Sequence, residues 1–152
     1  MSLADRKQFL VVTAGPVIVG EPSISPDGKW LAYDSTEGGS SQVYVTSFPG
    51  GTGKWQVSVN GGSQAQWQRD GKQIYFFSND GGIYAVPITT VGTQFNPGQP
   101  QPLFRPTSIV TSGRTYYPAP DGQKFLVPTP AAEIAAPIQL LLNWPAELES
   151  KK

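Results

Sequence analysis

The sequence predicts an all-β chain folded as a partial β-propeller of about three four-stranded blades. Three observations point there. A turn centred on Asp-Gly, followed by a dense apolar run, recurs along the 152 residues. Its spacing is that of a propeller blade: 43 residues separate Asp27 from Asp70 and 51 separate Asp70 from Asp121, where blades run roughly 40–50 residues. The composition is that of a turn-rich β protein, with 17 Gly and 15 Pro, 38% apolar and 14% charged residues.

The repeat is explicit in the residues. Asp27-Gly28-Lys29-Trp30-Leu31-Ala32-Tyr33-Asp34-Ser35 aligns with Asp70-Gly71-Lys72-Gln73-Ile74-Tyr75-Phe76-Phe77-Ser78, and both align with Asp121-Gly122-Gln123-Lys124-Phe125-Leu126-Val127-Pro128-Thr129. A fourth copy, Asp5-Arg6-Lys7-Gln8-Phe9-Leu10-Val11-Val12-Thr13, lacks the glycine and lies 22 residues before Asp27, too close for a whole blade. Apolar residues occupy the fourth, fifth and sixth places after each aspartate, and a hydroxyl residue the eighth.

In chain order, residues 1–19 read as a leader and a leading strand, Phe9-Leu10-Val11-Val12, from a preceding or completing blade. Residues 20–144 hold the three blades, at about 20–59, 60–105 and 113–144. Each opens on a short inner segment: Pro22–Ser25, Gln64–Trp67 and Thr115–Tyr117. The Asp-Gly turn and its apolar run follow, then a further strand at Gln42–Thr46, Gly82–Val86 and Ile138–Leu142. Trp55–Ser58 and Pro102–Phe104 close the first two units, whereas the third has no evident fourth strand. Residues 129–137 read as a loop or short helical turn, and 145–152 as a polar tail.

The turn has a physical rationale. Proline presets φ for the second position of a type I turn, aspartate bonds the backbone just ahead, and glycine supplies a left-handed residue that lets the strands pair at once. The runs that follow do not alternate: Leu31, Ala32 and Tyr33 are all apolar, as are Ile74 to Phe77. A strand reads this way when both its faces are covered, as in a blade packed between two neighbours.

Composition excludes several functions. Eleven basic and eleven acidic side chains cancel and form no basic stripe, so a nucleic-acid partner is not expected. No apolar stretch is long enough to predict membrane insertion. The chain has no Cys and no His, which removes disulfides, thiolate nucleophiles, the usual zinc ligand sets and a Ser-His-Asp relay. No catalytic residue, metal site or cofactor is expected.

Asp27, Asp70 and Asp121 recur because the turn recurs, one per blade, while paired acid–base carboxyls need to lie within about 5–10 Å of one another. Gly50-Gly51-Thr52-Gly53-Lys54 lacks the full spacing of a phosphate loop and reads as a hairpin loop. Trp30, Trp67, Tyr116, Tyr117 and Trp144 can serve either as core or as an aromatic binding surface. Because inner strands line a propeller's central channel, Ser23, Gln66, Trp67, Tyr116 and Tyr117 are the candidate ligand-facing residues.

Ser25-Pro26-Asp27-Gly28-Lys29, with Leu31-Ala32-Tyr33 and Val43-Tyr44-Val45 after it, resembles the TolB-like propeller repeat, and the likeness extends over roughly residues 20–144. Gln42–Val45 to Phe48-Pro49-Gly50, Lys54–Ser58 and Leu141-Leu142-Asn143-Trp144 are similar to the carboxy-terminal propeller part of bacterial serine/threonine kinases. The resemblance implies half of a six-bladed ring, a periplasmic or extracytoplasmic place, and a non-enzymatic sensor or interaction module that recognises a protein, peptide or small-molecule ligand. Such a half ring leaves blade faces open, so a homodimer or packing against further blades is expected, with the leading strand as a candidate to complete the third blade. The alternative is the accessory propeller of a prolyl-oligopeptidase-like serine peptidase.

Overall fold

The structure, a computed structural model, describes residues 10–12, 19–110 and 113–130, and the backbone of 138–142. The described residues form strands and turns with no helix. The first sheet is β1 (Val19–Ile24), β2 (Trp30–Ser35), β3 (Gln42–Ser47) and β4 (Trp55–Gln56), hydrogen-bonded in that order and antiparallel. The second places β5 (Ser63–Trp67), β6 (Gln73–Phe77) and β7 (Ile83–Val91) side by side. The outer edge of β7 carries both β8 (Gln94–Pro97) and β9 (Gln101–Phe104). The third is β10 (Tyr117–Pro118), β11 (Lys124–Pro128) and β12 (Ile138–Leu142). These are the three blades expected from the repeat, and the third sheet has three strands among the described residues.

The Asp-Gly turn is the same in each blade. The Gly28 N–H donates to the Ser25 carbonyl at 2.9 Å, Ser25 N–H to the Trp30 carbonyl at 2.8 Å, and Lys29 N–H to Asp27 Oδ1 at 3.1 Å. Gly28 is left-handed at φ +72°. Corresponding bonds recur at Gly71 to Gln68 and Lys72 to Asp70, and at Gly122 to Ala119 and Gln123 to Asp121. The carboxylates are therefore turn-forming groups. The Gly50–Lys54 stretch likewise connects β3 to β4, with Gly51 N–H donating to the Ser47 carbonyl and Thr52 N–H to Ser47 Oγ.

The apolar runs of the first two blades are covered on both faces, as their lack of alternation implied. Between the first two blades, Trp30, Ala32, Val43 and Val45 pack on Ala65, Ile74, Phe76 and Val86. Between the second and third, Tyr75, Ile83, Ala85 and Leu103 pack on Tyr116, Phe125 and Val127. Thus Ile74 and Phe76 face one neighbour and Tyr75 the other. The repeated hydroxyls Ser35, Ser78 and Thr129 are buried.

Two expectations change. The leading segment does not form a strand at residues 10–12, and Val11 and Val12 pack on the outward face of the first blade, against Leu31, Tyr33, Tyr44 and Phe48, rather than on the third. This face offers four large apolar side chains, and covering it is favourable at about 25 cal/mol per Å². Phe9 of the proposed leading strand, the leader before it, 131–137 of the proposed loop, Asn143, Trp144 and the tail lie outside the described residues. Second, β7 continues past its blade and returns as β8 through Gly92 and Thr93, a hairpin the sequence reading left unassigned. Phe95 on β8 is buried against the first blade, with ring centroids 5.0 Å from Trp30, 5.4 Å from Trp55 and 6.2 Å from Trp67.

Candidate functional site

The inner strands β1 and β5 are interrupted at the same place. The β1–β2 register shifts between Gly20 and Ser23, and the β5–β6 register between Ser63 and Gln66. At these bulges Glu21 has φ +46° and Gln64 φ +59°, left-handed values that non-glycine residues rarely adopt. Each stands six residues before its turn aspartate, and Thr115 holds that place in the third blade.

The bulges send their side chains toward the next blades. Arg114 Nη2 donates to Glu21 Oε2 at 2.7 Å, linking the segment before β10 to β1 across the intervening blade. Thr115 N–H donates to Gln64 Oε1 at 2.7 Å, and the Tyr116 hydroxyl donates to the Gln64 carbonyl at 2.8 Å. Asp34, opposite Gly20 in the β1–β2 ladder, completes the junction. Burial pushes its carboxyl up from the usual range, opposed by the Gln64 N–H, and its Oδ1 is buried with no hydrogen-bond partner. A Cβ on Gly20 would stand 3.2 Å from Asp34 Oδ2, so the small residue makes room for that carboxyl.

The five sequence candidates lie along the same inner strands, and four of them fasten blades together. The Trp67 indole N–H donates to the Ser23 carbonyl at 3.1 Å. Gln66 Nε2 donates to the Tyr116 carbonyl at 2.8 Å. Ser23, Gln66 and Trp67 are half-buried. Tyr116 is a correction: it is fully buried in the contact between the second and third blades, where burial pushes its hydroxyl pKa well up, and it faces no ligand surface. Tyr117 is exposed, at 46%. Sequence reasoning missed Glu21, Asp34, Gln64 and Arg114. The shared offset of Glu21, Gln64 and Thr115 from the turns was the available signal.

On the side of the Asp-Gly turns, a cleft of about 850 Å³ opens between the first two blades. Trp30 and Trp67 line it, with Asp27, Asp70 and Lys72 from the two turns and Thr90 from β7. The Ser25 hydroxyl, donating at 2.6 Å, holds the Asp27 carboxyl below the usual range, with the Lys29 N–H and charge acting in the same direction.

No family model matches the chain, and no curated protein matches it by sequence. Solved structures do match in fold. The crystal structure of TolB from Acinetobacter baumannii superposes with a TM-score of 0.63 at 18% identity, over 93% of this chain and 36% of that one. A TolB candidate from Agrobacterium tumefaciens gives 0.51 at 17% identity, over 88% of this chain and 48% of that one. A candidate 6-phosphogluconolactonase from Bacteroides uniformis gives 0.50 at 19% identity, over 82% and 35%. The chain thus spans between about a third and a half of these structures. Blade order, turn geometry and these likenesses together give the fold: part of a TolB-like β-propeller.

Proposed function

We propose that this chain is a non-enzymatic recognition module, a portion of a propeller whose inner-strand side binds a protein or peptide. The observation that carries this reading is the junction of Glu21, Gln64 and Arg114, where two equivalent residues are held in left-handed conformations and hydrogen-bonded across blades. Such strain concentrates at functional positions. Exposed Tyr117, three residues after Arg114, supplies aromatic surface, the kind of anchor that dominates protein interfaces. The resemblance of Gln42–Gly50 and Lys54–Ser58 to kinase-linked propellers supports an extracytoplasmic sensor attached to a signalling kinase. The likeness to portions of larger structures supports packing of the third blade's outward face, where Leu126 is exposed, against further blades or a second copy.

The test is selection of a displayed peptide library on the folded chain, followed by affinity measurement on the Arg114→Ala and Tyr117→Ala variants. Peptides that bind the parent and lose about tenfold or more on either variant support the reading. A selection that yields no peptide weakened by either variant would overturn it. Light scattering on a size-exclusion column reports the packing, and a compact monomer at micromolar concentration contradicts self-association.

A further inference from the structure

The hairpin of β7 and β8 leaves a strand edge without a strand partner among the described residues. β6 pairs with β7 only as far as Gln73 opposite Pro87, and the last bond on that side runs from Ile88 N–H to the Lys72 carbonyl at 2.7 Å. On the other side the Pro87 carbonyl accepts from Gly98 N–H at 2.8 Å, and Thr89 and Val91 lie opposite Asn96 and Gln94 of β8. Backbone groups alternate along a strand. Pro87, Thr89 and Val91 therefore direct theirs toward β8, while Ile88 and Thr90 direct theirs toward the edge that β6 has left. Along that edge lies exposed Thr90, whose N–H and carbonyl point away from β8, next to Ile88, which is buried.

The open edge borders the cleft between the Asp-Gly turns, whose lining includes Ile88, Thr89 and Thr90. Its volume of about 850 Å³ falls within the range of roughly 300–1,000 Å³ typical of binding sites. Across it stand Asp27 and Asp70, each spending Oδ1 on a turn N–H, and neither in an ion pair among the described residues. Lys72 is the one cation among the described lining residues, so the lining itself is net negative, with Lys29 beside Asp27 outside it. Half-buried Trp67 offers an indole at its base.

We infer that the free inner edge of β7 at Thr90 takes an added strand from an extended peptide carrying arginine or lysine. Main-chain pairing to Thr90 supplies the attachment, as in recognition by strand addition. The two carboxylates select cationic side chains, and an arginine fits the Trp67 face as a cation over an aromatic ring. None of Glu21, Gln64 and Arg114 lines this cleft, so the site does not depend on that junction.

The probe is a capped hexapeptide of alternating valine and arginine, followed by NMR on the isotope-labelled chain. Saturating peptide is expected to slow exchange of the Thr90 amide about tenfold or more and to shift the Trp67 indole resonance. The Asp27→Asn/Asp70→Asn double variant is expected to weaken binding about tenfold. A valine–glutamate hexapeptide is expected not to bind. Thr90→Pro removes a donor that the β8 ladder does not use and should abolish binding. Should that variant not fold, the same peptide N-methylated on its backbone should fail against the parent chain. Arg114→Ala should leave binding unchanged. Unaltered Thr90 exchange, equal binding of the N-methylated or acidic peptide, loss of binding in Arg114→Ala, or no binding at millimolar peptide would each overturn the proposal.

Discussion

Arg114 Nη2 reaches Glu21 Oε2 at 2.7 Å, so a residue leading into the third blade is anchored to the inner strand of the first. Their side chains keep 25% and 38% exposure, so solvent screens much of the attraction. A double-mutant cycle of Arg114→Ala and Glu21→Ala, read by urea unfolding, should give a coupling of about 0.5–1 kcal/mol at low salt. The coupling should shrink as salt is added. A coupling of zero at every salt concentration would show that the contact adds nothing to the packing already present.

Phe95 closes a second cross-blade contact, sitting among Trp30, Trp55 and Trp67 from the first two blades. The ring is 3% exposed. Truncation of a buried phenylalanine costs about 3–5 kcal/mol, a large part of a domain's stability of about 5–15 kcal/mol. Phe95→Ala should therefore lower the unfolding midpoint sharply and shift tryptophan emission to longer wavelength. Phe95→Leu, which retains most of the apolar volume, should cost less than half as much. Equal losses for the two would mean that the ring stacking, rather than the volume, holds the hairpin.

How legible these features are depends on how local their causes are. The Asp27, Asp70 and Asp121 turns depend on four or five adjacent residues, and the sequence discloses them completely. The double-sided burial of β2 and β6 was readable because Leu31–Tyr33 and Ile74–Phe77 do not alternate. The β7–β8 hairpin is less visible. Gly92-Thr93 is an acceptable two-residue turn, but Phe95 is held by tryptophans that lie 28 to 65 positions earlier in the chain. The bulges at Glu21 and Gln64 run against local preference, since glutamate and glutamine disfavour positive φ. Contacts with Arg114, Thr115 and Tyr116 in another blade hold them there, and no local pattern announces such contacts. Tyr116 illustrates the same limit: an inner-strand position suggested the channel, yet the side chain turns into the interface between blades.

Asp34 gives the junction a pH dependence of defined sign. Its carboxyl is pushed up by burial, with the Glu21 charge adding to the effect and the Gln64 N–H and Arg114 opposing it. A raised folded-state value means that the native protein favours the protonated form more than the unfolded chain does. The associated stability is present below the unfolded value of about 3.9 and is lost as pH rises through the folded value. Asp27 and Asp80, whose carboxyls are held low by hydrogen bonds, act in the opposite direction and weaken the fold as pH falls. The difference between parent and Asp34→Asn isolates the first effect. Asp34→Asn should be the more stable of the two at pH 7, by about 1 kcal/mol if removal of one buried unpaired acceptor charge dominates. That advantage should vanish on titration below pH 4. A difference independent of pH would show that Asp34 is uncharged throughout, or that its effect is steric.

The three turns share a backbone but not a neighbourhood, and that separates two costs of adding a methyl group. At Gly28, φ is +72° and a Cβ would meet nothing within 4 Å. At Gly122, φ is +69°, and the added atom would stand 2.4 Å from the Tyr75 hydroxyl and 2.8 Å from Gln68 Nε2. The left-handed conformation alone costs an alanine about 1–2 kcal/mol relative to glycine. Gly28→Ala should lose that and no more. Gly122→Ala carries the same backbone cost and must also displace Tyr75, which is 1% exposed and wedged edge-on against Phe125 at 5.1 Å. Overpacking of this kind adds about 1–3 kcal/mol. Thermal unfolding of the two variants side by side should therefore place Gly122→Ala well below Gly28→Ala. Near-UV circular dichroism should report a changed tyrosine environment in Gly122→Ala alone. Equal midpoints would mean that the third turn does not seat against the second blade, and that the contact between these blades depends on the packing around Phe125 and Tyr116 and on the inner-strand hydrogen bonds.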